Sequence, residues 1–315
     1  MLKLLLASLI IALNVQPAAP IEKNAAERQT DLRTQSENVL PNTQINLAQW
    51  SENNLLQAPF VPTKDHSMIA PIIKAKAGLA MDVNSATVLF EKNAHTPLPI
   101  ASITKLMTAI IIIERHTLEE IVTVGKNPQN VPGSRIWLAE GEKITVKNLL
   151  YGLLIPSGND AALALAEYDS GTEEIFVQLM NQKAKLLGLK QTTFINATGL
   201  DQEHQNVSTA YEIALLSMYA LKSPFIRETV QIQTMEIKGE NFGTHKLETT
   251  NKLLGKELGI KGLKTGNTDA AGPSFVALTD TPLKTDLITV VLNSEQRFTD
   301  TNILIYWINR AYTWK

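Results

Sequence analysis

Ser102 and Lys105 stand three positions apart in Pro97-Leu98-Pro99-Ile100-Ala101-Ser102-Ile103-Thr104-Lys105-Leu106-Met107-Thr108-Ala109, at the head of an apolar run that continues through Ile113. A hydroxyl and an amine at that spacing share one face of a helix. The two prolines hold the chain extended just upstream, and no breaker follows Pro99. The run is too short to span a bilayer and predicts a buried helix starting near Ala101, with Ser102 in its first turn. Unpaired N–H groups and the positive end of the helix dipole favour developing negative charge there. A lysine facing so apolar a setting loses proton affinity to desolvation, as a general base working near neutral pH must. The pair suits a nucleophile and its base. Alone it is weak evidence, because a helix-capping serine followed by a lysine also arises by chance in a chain this long.

Two more short motifs strengthen it. Ser157-Gly158-Asn159 follows Pro156 in a turn between two helical patterns, and Lys264-Thr265-Gly266 closes a strand-like run. Taken singly, Ser157 and Asn159 read as helix caps and Lys264 as an exposed strand lysine. Together the motifs set hydroxyls, an amide and two amines on a helix start, an interhelical turn and a strand end.

The elements that must hold these residues follow from periodicity. Lys74–Val83 and Thr87–Glu91 read as strands joined by a turn at Asn84-Ser85. Val146–Ile155, Asp160–Tyr168 and Glu173–Leu187 are apolar at helical spacing, the last closed by Gly188. Thr209 and Glu212 form a capping box for a helix to Leu221, with Pro224 as its stop. Ile260–Lys264, Ser274–Thr279 and Leu287–Leu292 are strand-like, and Thr299–Thr313 reads as a final helix whose Ile303, Ile305, Trp307 and Ile308 pack on a sheet. Strands, a long helical middle, then strands and a helix predict an α+β fold, with one antiparallel sheet, flanking helices and an inserted helical lobe. The groove between sheet and lobe is the expected site.

Composition excludes other classes. With 315 residues there is ample chain for a large core, and a formal net charge of -2 without basic runs argues against nucleic acid as a partner. The chain has no cysteine, so it has no disulfide frame, thiolate nucleophile or Cys-ligated metal. The five histidines, His66, His95, His116, His204 and His245, show no zinc spacing and read as surface or loop residues, and there is no GxSxG elbow. No metal or cofactor is expected. Met1-Leu2-Lys3, the apolar run Leu4–Leu13 and Pro17-Ala18-Ala19 resemble an export signal, with retention as an uncleaved membrane anchor left open by Pro20. The expected layout is a leader or anchor at 1–19, a polar linker at 20–70 and a folded domain at 71–315, exported from the cytoplasm. Trp50 and Leu55–Val61 are apolar enough to dock on the domain surface.

The three motifs in this order match penicillin-binding proteins and class A β-lactamases. Pro99–Ala109, Leu149–Glu167, Phe194–Leu200 with Ser208–Glu212, and Gly262–Ala277 further resemble the low-molecular-weight penicillin-binding proteins, the serine D-alanyl-D-alanine carboxypeptidases and endopeptidases of peptidoglycan. The stretch Lys264 to Gly272, KTGNTDAAG, is especially similar. The resemblance implies that Ser102 attacks the carbonyl between two D-alanines of a stem peptide, Lys105 takes its proton, and Ser157 passes a proton to the leaving amine. It implies that Asn159 holds Lys105 and the substrate amide. Lys264 and Thr265 would receive the terminal carboxylate, and Gly266 would let the substrate backbone approach. The N–H groups of Ser102 and Asn267 would form an oxyanion hole. Arg297 resembles, more loosely, an arginine that helps bind the free carboxylate. β-Lactam antibiotics would be covalent inhibitors. A class A β-lactamase also needs a glutamate followed by Leu-Asn between the second and third motifs, and Phe194–Asn206 offers only Asn196, Thr198 and Glu203. Carboxypeptidase is the favoured reading. An endopeptidase that cuts cross-links, a β-lactamase and a non-catalytic penicillin-binding module are the alternatives.

Overall fold

Along Ala77–Asp82 every residue is buried, with Leu79 and Met81 in one hydrophobic cluster and Ala80 in another. Side chains alternate across a strand, so a strand buried on both faces must lie between two layers. The computed structural model, which describes residues 61–256 and 258–314, shows those layers. Ala77–Asp82 (β1), Val88–Lys92 (β2), Gly262–Gly266 (β3), Ser274–Asp280 (β4) and Asp286–Leu292 (β5) form one antiparallel sheet in the order β3-β4-β5-β1-β2. The early and late strands meet where β1 pairs with β5, Leu79 opposite Val290.

One face of the sheet carries Arg297–Ala311 (α6), whose Leu304, Trp307 and Ile308 pack with Ala80, Leu287 and Val291. The other face carries the helical insertion: Lys105–Arg115 (α1), Val146–Leu154 (α2), Asn159–Ser170 (α3), Glu173–Leu186 (α4) and Ala210–Ala220 (α5). Leu106, Met107 and Ile110 of α1 and Ile213 of α5 share a cluster there with Leu79, Ile288 and Val290. Each fully buried aliphatic side chain of this kind contributes roughly 1.5–3 kcal/mol. No helix among the described residues is long and apolar enough to cross a membrane.

Several expectations change. The helix expected from Ala101 opens as a 3-10 turn, Ala101–Thr104, and becomes α-helical only at Lys105. Thr209 does cap α5 by accepting the Glu212 N–H at 3.1 Å, but the Glu212 carboxylate turns away to Gln191 N–H and Thr192 Oγ1. Pro224 stops nothing: α5 ends at Ala220, and Pro224 opens a short helix, Pro224–Thr229, where its missing N–H costs nothing. Ile303 is 36 % exposed and Leu304 fills the core instead. The final helix ends at Ala311, and Tyr312–Trp314 pairs antiparallel with Pro62–Lys64, so the end of the stretch read as a linker belongs to the fold. The hairpin Thr234–Lys238 with Thr244–Glu248 was not foreseen. The leader at 1–19, Trp50 and the linker up to residue 60 lie outside the described residues.

Candidate active site

Ser102 is presented by a tightly held turn. Leu98–Pro99 pairs with Val207–Ser208, and the Ile100 N–H donates to the Asn206 carbonyl at 3.1 Å. Ala101 then adopts a φ of +48°, and Ser102, partly exposed, sits in the 3-10 turn. Gly199 backs this turn: at its φ of +82°, a Cβ would lie 2.0 Å from the Ala101 carbonyl oxygen and 2.8 Å from the Ser102 nitrogen. Only glycine allows so close an approach.

Lys105 is fully buried, and its Nζ lies 2.8 Å from Ser102 Oγ, 2.7 Å from Asn159 Oδ1 and 2.6 Å from the Thr198 carbonyl oxygen. A charged ammonium has three protons and can donate to all three. A neutral amine has two protons and one lone pair. Two of its partners are carbonyl oxygens, which only accept, so the lone pair must face the one partner that can donate, the Ser102 hydroxyl. Burial, reinforced by the positive charge of Lys264, holds the Lys105 pKa well below the ordinary lysine range, while Asp160 opposes the shift.

Asn159 is the first residue of α3. Its Nδ2 donates to the Pro132 carbonyl at 2.7 Å, which fixes the amide and turns Oδ1 toward Lys105. Ser157, buried in the turn between α2 and α3 at a φ of +66°, accepts from Lys264 Nζ at 2.7 Å. Left-handed geometry is costly for a serine and is retained where the surroundings over-determine it. Lys264, in β3, is also buried; burial, then the positive charge of Arg297, hold its pKa down at about 7. Thr265 shares a 2.6 Å hydrogen bond with Thr250. A Cβ on Gly266 would sit 2.9 Å from the Ile100 carbonyl oxygen, so β3 lies directly against the turn that carries Ser102. Asn267 follows, exposed, beyond the last ladder pair of β3, Gly266 with Ser274. Arg297, half-buried at the start of α6, lies over Phe298, which packs edge-on against Phe275, the ladder partner of Thr265.

Ser102, Lys105, Ser157, Asn159 and Lys264 are therefore joined by direct hydrogen bonds or by the charge Lys264 exerts on Lys105. Arg297 joins them through its field alone. Positive charge with no carboxylate among the atoms that touch it suits capture of a substrate carboxylate. Sequence reading missed the Thr198 carbonyl, Gly199, Thr250 and Asp160. A backbone carbonyl has no residue-type signature; Asp160, next to Asn159, had one that was passed over. Of the β-lactamase candidates, Asn196 is buried and accepts the Thr198 and Gly199 N–H groups, while Glu203 is exposed. The loop meets Lys105 with a carbonyl rather than a carboxylate. The histidines are not all peripheral: His245 is buried between the Ile136 carbonyl and Glu142, and His116 bridges Glu120 and Asp169. Among the described residues no cluster of potential metal ligands occurs. A large surface cavity, about 830 Å³, is lined by Leu253, Leu258, Ile260, Ile303, Tyr306 and Trp307 and by none of the motif residues.

The chain is 36% identical over 278 residues to the D-alanyl-D-alanine carboxypeptidase DacC of Escherichia coli, covering 83% of this chain and 68% of that one. It is 37% identical over 203 residues to the D-alanyl-D-alanine carboxypeptidase DacF of Bacillus subtilis, covering 63% and 52% respectively. It thus spans between half and about two thirds of the length of these relatives. Penicillin-binding protein D2 of Listeria monocytogenes, solved in an ampicillin-bound form, superposes with a TM-score of 0.67 at 32% identity, covering 76% of this chain and 99% of that one. The peptidase family S11, D-alanyl-D-alanine carboxypeptidase, matches residues 64–296. That match takes in Ser102, Ser157 and Lys264 together, and the chain belongs to the D-alanyl-D-alanine carboxypeptidase family.

Proposed function

We propose that the protein is a serine D-alanyl-D-alanine carboxypeptidase that trims peptidoglycan stem peptides through an acyl-enzyme on Ser102. The observation that carries this reading is the Lys105 environment: fully buried, with two carbonyl acceptors and one hydroxyl, so that its neutral form can only accept from Ser102. Ser102 Oγ attacks the carbonyl between the D-alanines as its proton passes to Lys105 Nζ. Oxyanion charge develops where the N–H groups of Ser102 and Asn267 would meet it, one such donor contributing roughly 3–4 kcal/mol. The C–N bond breaks, the amine leaves with a proton delivered through Ser157 Oγ, and water then releases the shortened peptide from Ser102. Lys264, Thr265 and Arg297 take the terminal carboxylate. A β-lactam would acylate the same serine, a view supported by the ampicillin-bound relative. The leader at Met1–Ala19 would bring the domain across the cytoplasmic membrane, with or without cleavage, and a reporter fused after residue 70 should be active only outside the cytoplasm.

Labelled penicillin should attach to the wild-type protein at Ser102 and not to a folded Ser102→Ala variant; labelling that persists in the variant would refute the nucleophile. Digestion of purified muropeptides separates the two peptidase activities. Free D-alanine is the expected product, whereas cleaved cross-links without it would make the enzyme an endopeptidase.

A further inference from the structure

Next to Asn159 stands a buried carboxylate that the proposed chemistry does not use. Asp160 is fully buried at the second position of α3. Its Oδ2 accepts the N–H groups of Ile136, Trp137 and Leu138 at 3.0, 2.8 and 3.1 Å, and its Oδ1 accepts those of Ile136 and Ala161 at 3.1 and 2.9 Å. Three successive N–H groups converge because Trp137 takes a φ of +68°, which curls the backbone into an anion-binding concavity. Every partner that touches the carboxylate is thus a backbone amide.

The loop gripped in this way is the one that orients Asn159. The Pro132 carbonyl receives Asn159 Nδ2 at 2.7 Å, and the Ser134 carbonyl receives the Asn159 backbone N–H at 2.7 Å. Ser134 Oγ donates to the Pro156 carbonyl at 2.7 Å, tying the loop to the turn that carries Ser157. Gly133 presses on the same amide, since a Cβ there would lie 2.8 Å from Asn159 Nδ2.

We propose that Asp160 is a positioning residue for acylation: by clamping the backbone of Ile136, Trp137 and Leu138 it holds the Pro132 carbonyl against Asn159, so that the Asn159 amide presents its oxygen, not its nitrogen, to Lys105. The consequence is chemical. With the amide oxygen in place, neutral Lys105 spends its two protons on Asn159 and Thr198 and keeps its lone pair for Ser102. With the amide flipped, an N–H faces the amine, competes for that lone pair and disables the base. The inference rests on Ser102 and Lys105 as nucleophile and base.

The test is a double-mutant cycle on the acylation rate with labelled penicillin, comparing the wild type, Asp160→Ala, Asn159→Ala and the double variant. Asp160→Ala should slow acylation about 10²-fold, the low end of what a positioned base supplies. In the Asn159→Ala background the same change should cost less than about threefold, because there is no amide left to orient. Losses that multiply would overturn the inference and leave Asp160 a purely structural anchor. Should Asp160→Ala fail to fold, Asp160→Asn keeps the size and is read by its pH profile. The charges facing Lys105 are Lys264 on β3 and Asp160 on α3; Ser102, Asn159 and the Thr198 carbonyl are neutral. Removing the negative charge should move the acid limb to lower pH through its field on Lys105, and loosening the clamp should lower the plateau; a plateau within threefold of wild type overturns the inference wherever the limb lies. Absence of labelling at Ser102 in the wild type would remove the nucleophile assignment and this inference together. Normal wild-type labelling with wild-type-like Asp160 variants would remove only the latter.

Discussion

Lys105, the first residue of α1, and Lys183 of α4 are both buried in the helical lobe, 0% and 3% exposed, yet their surroundings differ in one decisive way. Lys183 Nζ lies 2.7 Å from the Glu114 carboxylate and 3.0 Å from Tyr219 Oη, and that hydroxyl donates to the same carboxylate at 2.6 Å. Lys105 is offered two carbonyls and a hydroxyl, and the nearby carboxylate, Asp160, is turned to backbone amides. A buried ammonium beside a carboxylate keeps its proton, while one without a counter-ion loses proton affinity instead. Position along the same helical bundle therefore makes one lysine an anchor and leaves the other free to become a base.

The largest effect that separates the two belongs to Lys105→Arg. Arginine retains the charge but cannot deprotonate near neutral pH, so acylation by penicillin should fall by roughly 10²–10⁴-fold, as far as for Lys105→Ala. In the wild type the rate should rise with pH, because the neutral amine is the reactive form. The midpoint of that rise should lie well below the value of about 10.4 for free lysine. Next in size is Lys264→Arg, which keeps a cation on β3 but misplaces it. Substrates with a free terminal carboxylate should lose about 10–100-fold in kcat/KM, the worth of one charged hydrogen bond, and esters lacking that carboxylate should lose less. The smallest effect on activity belongs to Lys183→Ala, with acylation within a few-fold of wild type. Its cost appears in stability instead. It leaves Glu114 without its cation, and denaturant titration should show a loss on the order of 2 kcal/mol, between the values for exposed and buried pairs. A large acylation defect in this variant would erase the distinction between the two lysines.

The same contrast explains what the sequence makes legible. Ser102, Lys105, Ser157, Asn159 and Lys264 announce themselves by residue type and spacing, and the sheet that brings the last of them across follows from short strand-like runs that are buried almost throughout. Lys183 shows why residue type is insufficient: it is as buried as Lys105, and only its partner on another helix distinguishes it. Thr198 contributes a backbone carbonyl and Gly199 the absence of a side chain, neither of which stands out in a single sequence. The strand Pro62–Lys64 was hidden in polar composition because its partner, Tyr312–Trp314, lies at the opposite end of the described chain. Pro224 was misread because proline is equally at home ending one helix and opening the next.

The most direct test is to titrate the Lys105 amine itself. In Ser102→Ala protein labelled with 15N-lysine, the Nζ resonance of Lys105 can be assigned by its loss in Lys105→Arg and followed from pH 5 to 11. Its midpoint should fall well below 10.4, with Lys264 titrating near 7. A Lys105 that holds its proton up to pH 10 would contradict its assignment as the base.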